Sequence, residues 1–163
     1  MNGGNAVENV QVDVAKEYDV LQTLGEGWFA KVLLTEHRRT RAEVVLKAVT
    51  KDSTSRREFF REFHYSYYLS PHPAALNTYD VAFESERYFY FAQELAPFGD
   101  LTSNVGERGL CEEHTKRVAT QIASALDFIH SKDLVHRDLK VPHPSISFHH
   151  LLSYNAVFAA YNY

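Results

Sequence analysis

The sequence predicts an α+β fold: five strands and one helix, then a separate helical segment. Three observations carry this. Five short stretches rich in β-branched and aromatic residues are separated by turn-forming or charged residues. Between the third and the fourth, apolar residues recur at helical period. A Pro- and Gly-containing linker at residues 96–99 then comes before a long amphipathic segment.

The chain has 163 residues, the size of one ordinary domain. With 45% apolar and 23% charged residues it reads as globular rather than disordered. A formal charge of −4 argues against a nucleic-acid binder, which would be basic. The single cysteine, Cys111, excludes an intrachain disulfide and a four-cysteine zinc site, and is expected to be buried or idle. The start, Met-Asn-Gly-Gly-Asn-Ala-Val-Glu, lacks a basic n-region and an apolar h-region, and Gly stands at position 3 rather than 2. No run of about 18 apolar residues occurs. Neither a signal peptide, a myristoyl anchor nor a membrane span is therefore expected, and a cytoplasmic location is the default, with the nucleus left open.

Taken in order, residues 1–17 are polar and aperiodic and are expected to form a flexible lead-in. Residues 18–24 alternate as a first strand, Gly25-Glu26-Gly27 makes a turn, and 31–36 is a second strand. His37-Arg38-Arg39-Thr40-Arg41 reads as a solvated hairpin tip rather than a phosphate patch. Residues 43–49 form a third strand, apolar except for Lys47. An unpaired buried ammonium is costly, so Lys47 calls for a partner. Ser55 and Glu58 have capping-box spacing at the start of a helix whose Phe59, Phe60, Phe63 and Tyr67 share a face, with Glu62 beside it. Ser70-Pro71-His72-Pro73 ends that helix. Residues 78–84 and 88–93 are the fourth and fifth strands. Residues 112–131 form a helix with Val118, Ile122, Leu126 and Ile129 on one stripe. The last segment, 141–163, has no Asp, Glu, Lys or Arg and no sustained period.

Four motifs, in order and on fitting elements, resemble the protein kinase family. Gly25-Glu26-Gly27-Trp28-Phe29-Ala30-Lys31-Val32 is similar to the glycine-rich loop G-x-G-x-x-G-x-V, with Ala30 replacing the third glycine. Val44-Val45-Leu46-Lys47 is similar to V-A-I-K. Tyr88 through Ala96, continuing into Pro97-Phe98-Gly99-Asp100-Leu101, resembles the fifth strand and hinge. His136-Arg137-Asp138-Leu139-Lys140 resembles the catalytic loop, in its serine/threonine form. The Leu-Gly-Glu-Gly-Trp-Phe-Ala-Lys-Val and Leu-Ser-Pro-His-Pro segments resemble the SH3-domain-binding serine/threonine kinase group.

The resemblance implies an N-lobe at 18–93, built as a five-stranded antiparallel sheet plus one helix. A hinge at 94–99 and the start of an incomplete C-lobe at 100–140 would follow. It implies ATP as the bound nucleotide. Leu24, Gly25, Glu26, Gly27 and Val32 would lie over it, with Val45 beside it. Lys47 would hold the α- and β-phosphates and pair with Glu62, leaving Glu58 to the cap. Gln93 would be the gatekeeper, backbone groups of Glu94 and Ala96 would bond adenine, and Asp100 would face ribose or substrate, or cap a helix. Asp138 would accept the proton of a protein Ser/Thr hydroxyl and Lys140 would contact the γ-phosphate. His136 would be structural, and Arg137 would receive a phosphorylated activation loop.

Beyond Lys140 the pattern breaks. The family's catalytic-loop Asn position holds His143, and neither Asp-Phe-Gly nor Ala-Pro-Glu occurs. The protein ligands of Mg2+ are thereby missing, and His143, His149 and His150 have no carboxylate or Cys near them in the tail to replace them. Losing one electrostatic element of such a site typically costs about 10²–10³ in rate. The expectation is a serine/threonine kinase by family, present as a truncated and catalytically incomplete form. Two alternatives stay open: a non-catalytic module binding nucleotide or a protein partner, and a mis-predicted gene product with a spurious tail. The partner surface would be the apolar face of 112–131, exposed for want of later helices.

Overall fold

The computed structural model describes residues 13–96 and 109–136. The expectations for Asp100, Arg137, Asp138, Lys140 and the tail from 141 lie outside the described residues. In chain order the elements are α1 (Val14–Glu17), β1 (Tyr18–Glu26), β2 (Ala30–His37), β3 (Glu43–Thr50), α2 (Arg56–Leu69), β4 (Thr78–Glu84), β5 (Tyr88–Gln93) and α3 (Glu112–His130). The five strands form one sheet in the order β1-β2-β3-β5-β4, and the β1–β2, β2–β3 and β3–β5 pairs are antiparallel.

Alternation along β3 sorts its side chains between two apolar layers, because successive residues point to opposite faces. On one face, Leu46 and Ala48 join Phe83, Tyr90 and Ala92, with Val14, Tyr18 and Leu33 packed around them. Tyr18 stacks on Phe83 and Phe83 on Tyr90, with centroids 5.8 and 5.1 Å apart. On the other, Val49 joins Phe89, Phe91 and the α2 residues Phe59 and Phe63, with Ala30 and Ala82 at the margin. Helix α2 starts with the expected box. Ser55 N–H donates to Glu58 Oε2 at 2.8 Å, and Glu58 N–H donates to Ser55 Oγ at 3.3 Å. The Ser55 hydroxyl holds the Glu58 carboxyl below its ordinary value.

Among the described residues, those up to Phe63 together with Tyr79–Leu95 form one compact unit, and His64–Thr78 with those from Ala96 onward form another. In the second, Leu69, Ala74, Ala125 and Ile129 make a small buried cluster, with Ile122, Leu126, Phe128 and Leu134 against it.

Four expectations need correction. The lead-in at 1–17 contains a helical turn, α1, because Val14 has the β4–β5 aromatic layer to pack on. Gly25 and Glu26 belong to β1, and the reversal lies at Trp28-Phe29, closed by Gly27 N–H donating to Ala30 O at 2.8 Å. Of the two alternatives for Cys111, burial does not hold: it is exposed, with Sγ 3.1 Å from His114 Nδ1. The stripe on α3 is not an exposed apolar face: Val118 and Ile129 are buried and Ile122 and Leu126 half-buried. Leu69, the last residue of α2, and Ala74 and Ala75 in the turns after it cover part of it.

Candidate functional site

Cross-strand register brings the expected residues together. Gly25 pairs with Val32, Val32 with Lys47, and Lys47 with Phe91. Directly paired residues share a face, so these four form a row across the sheet. The neighbouring row on that face contains Leu34, Val45 and Gln93. Val32, Val45, Lys47 and Gln93 are thus two rows of one surface, the surface against which α2 packs. Leu24 lies beside the first row on β1 and is 43% exposed. Gln93 is buried, and Glu94 and Ala96 follow it half-buried.

Lys47 is only 5% exposed, which for an ammonium is tolerable only with charge compensation. Its Nζ bonds Glu62 Oε1. The Nζ also lies 5.7 Å from the centroid of the Phe91 ring, a cation–π distance. Glu62 reaches it because it lies one turn after Phe59 and next to Phe63, and these two fix the face of α2 that meets the sheet. Glu58, the rival, is committed to Ser55. The pair is asymmetric: the Lys47 side chain is 6% exposed and that of Glu62 19%. The carboxylate keeps contact with water while the ammonium is nearly dry.

The β1–β2 turn has the opposite character. A side chain built at Gly25 would meet nothing within 4 Å, and one at Gly27 only Ala30 O at 3.8 Å. Among the described glycines only Gly109 has positive φ, so these two are not demanded by backbone strain. What they leave is bare backbone that an anion can approach closely. Across the turn, Lys31 Nζ lies 2.8 Å from Glu26 Oε1, and this hydrogen bond raises the Lys31 pKa. Trp28 at the tip is 88% exposed.

The approach to the H-R-D stretch is also set. After α3, Asp133 takes φ 58°, Leu134 N–H donates to Ile129 O at 3.2 Å, and Asp133 N–H donates to His130 O at 3.0 Å. This left-handed turn folds Leu134 onto Ile129 and precedes His136, which is 5% exposed. His136 is thus a buried side chain at the end of this turn. The ring of Phe91 beneath the ammonium was not foreseen; register with Lys47 is the signal that carries it, and register is not visible in one sequence.

These residues fit a nucleotide polyphosphate: a buried cation and open backbone lie along one row, and the cation's fixed counter-ion reaches it from α2. For magnesium no role is derived. The family's ligand positions come after Lys140, where position 143 is His, and among the described residues no three His, Cys, Asp or Glu side chains cluster to hold a metal. No helix among them is long and apolar enough to cross a membrane.

Residues 18–142 match the protein kinase domain family. The chain is 51% identical over 135 residues to the serine/threonine-protein kinase meng-po of Drosophila melanogaster, covering 83% of this chain and 30% of that protein. It is 44% identical over 131 residues to the serine/threonine-protein kinase SBK1 of Danio rerio, covering 80% of this chain and 34% of the relative. Against SBK1 of Mus musculus it is 42% identical over 129 residues, covering 78% and 31%. The chain spans about a third of the length of these relatives.

Proposed function

The chain belongs to the protein kinase family, among the serine/threonine kinases of the SH3-binding group, and we propose that its sheet unit binds ATP. The observation that carries the reading is the Lys47–Glu62 ion pair on the row that begins at Gly25. Lys47 neutralises the α- and β-phosphates, and Glu62 keeps its ammonium aimed along the sheet. The N–H groups of Gly25–Val32 cradle the phosphates, with Leu24 and Glu26 at the edge. Val32 and Val45 form an apolar shelf for the base, Gln93 bounds it, and backbone groups of Glu94 and Ala96 bond its edge. In the reaction class, Asp138 accepts the hydroxyl proton of a protein serine or threonine, Lys140 steadies the γ-phosphate and Asp100 meets ribose or substrate.

These 163 residues hold no Asp-Phe-Gly and have His143 where the pattern asks for Asn. Phosphoryl transfer depends on charge neutralisation by metal ions held at such positions. A polypeptide of these 163 residues therefore binds nucleotide and transfers phosphate poorly. In a thermal-shift titration, ATP should raise the melting temperature with little dependence on Mg2+, and Lys47→Met should abolish the shift. A strong Mg2+-dependent shift, or radiolabel transfer to a basic protein substrate that Asp138→Asn removes, would overturn the inactive reading. No ATP-dependent shift at all would overturn the nucleotide-binding one.

A further inference from the structure

The residue standing where the family has its third glycine is half-buried against the core. Ala30 opens β2, pairs with Val49, and packs against the cluster of Val49, Phe59, Phe63, Phe89 and Phe91. Phe59 and Phe63 belong to the same helix as Glu62, three residues before it and one after. The chain just before Ala30 is tethered as well. Phe29 O accepts from Thr50 N–H at 3.0 Å, and Ala30 O accepts from Gly27 N–H at 2.8 Å. On the opposite face, Glu26 and Lys31 close the hairpin with their ion pair. Glycine at position 30 would offer no methyl to the aromatic cluster and would free the backbone at the junction of loop and strand.

We infer that Ala30 is a positioning residue that pins the glycine-rich loop to the aromatic cluster beneath α2, so that loop and Lys47–Glu62 pair are held by one packed layer. The loop is then a preformed cradle rather than a flap, and a preformed cradle binds polyphosphate without first being ordered. A displacement of α2 that breaks Lys47–Glu62 also shifts Phe59 and Phe63 within the cluster that Ala30 packs against, and loosens the loop. The inference rests on the nucleotide-binding reading for its effect on affinity, but the pin itself does not.

Hydrogen exchange of the 163-residue chain separates the two. Ala30→Gly should raise exchange across residues 25–32 by about tenfold, from the lost methyl contact and the glycine's added freedom. Exchange in β5 should stay unchanged, which shows that the variant is folded. Glu62→Gln should raise exchange in the same loop, which a purely local role for Ala30 does not predict. Trp28, the chain's one tryptophan, reports the same change as lower fluorescence anisotropy. ATP affinity of Ala30→Gly should fall several-fold, and Ala30→Ser, which keeps the Cβ, should lie between the two. Unchanged loop exchange in Ala30→Gly overturns the pin, whatever the nucleotide does. Raised loop exchange with no ATP binding to the parent chain leaves the pin standing and sinks the nucleotide reading instead. Loop exchange indifferent to Glu62→Gln refutes the coupling.

Discussion

Strand β1 leaves Val20, Leu21 and Leu24 between 43% and 53% exposed, whereas every residue of β3 from Val45 to Val49 is at most 5% exposed. Both strands carry apolar residues, Val20, Leu21 and Leu24 on β1 among them, so composition alone does not account for the contrast. Their positions differ: β1 is an edge strand with one neighbour, and β3 lies between β2 and β5 with a packed layer on each face. The β1–β2 ladder slips register twice, while the β2–β3 ladder runs without a shift. Bulges loosen and re-aim a strand. The candidate site uses both conditions. The dry centre makes one ion pair strong and well placed, and the open edge supplies unhindered backbone.

If the centre is close-packed, its aromatic contacts should dominate stability. Phe63 is 1% exposed, 5.8 Å from Phe91 between ring centroids. Phe63→Ala is expected to cost about 3–5 kcal/mol in urea unfolding. A cost below about 1 kcal/mol would mean that the layer under α2 is not tightly packed.

The ion pair should come next, and unequally. Glu62→Gln strips the carboxylate from a nearly dry ammonium and should cost about 3 kcal/mol. Lys47→Met leaves a carboxylate that water can reach and a side chain suited to the apolar strand, and should cost about 1 kcal/mol or less. The reverse order in matched unfolding experiments would contradict the asymmetry in burial.

At the helix start, Ser55→Ala should cost about 1 kcal/mol by removing the cap. Amide exchange in the first turn of α2 should rise with it, and unchanged exchange there would show the box to be idle. A pH effect tests the second unit. His72 stacks on Phe128 at 4.9 Å, accepts Ala74 N–H on Nδ1 at 3.1 Å and has Nε2 3.3 Å from Ser124 Oγ. Burial lowers its pKa from 6.5, so the folded state favours the neutral ring. Its stabilisation is complete above that ordinary value and is lost as pH falls through the lower folded value. Unfolding at pH 7.5 and 5.5 should show the drop, and His72→Gln should flatten it. Glu58, whose pKa is also lowered, acts with the same sign but only below 4.5, so the two windows are separate.

The smallest effect belongs to the wet hairpin. Arg38 and Asp19 are 2.6 Å apart but 52% and 42% exposed. Arg38→Ala should change stability by less than about 0.5 kcal/mol. A larger loss would erase the contrast between edge and centre.

Much of this was readable in one dimension because it depends on local periodicity and short spacing. The β5 strand and both long helices begin where alternation, capping and proline place them, and Ser55 with Glu58 followed from spacing alone. Lys47 needed a partner on charge grounds, and Glu62 was identified as that partner with help from the family pattern. Tertiary structure decided what depends on register and on neighbours distant in sequence. Only pairing across strands put Phe91 under the ammonium and Gly25 in its row. Only packing showed that Ala30 sits against the aromatic cluster and that the α3 stripe is partly covered by Leu69 and Ala74. Burial is a property of what surrounds a side chain, and a sequence states only what the side chain is.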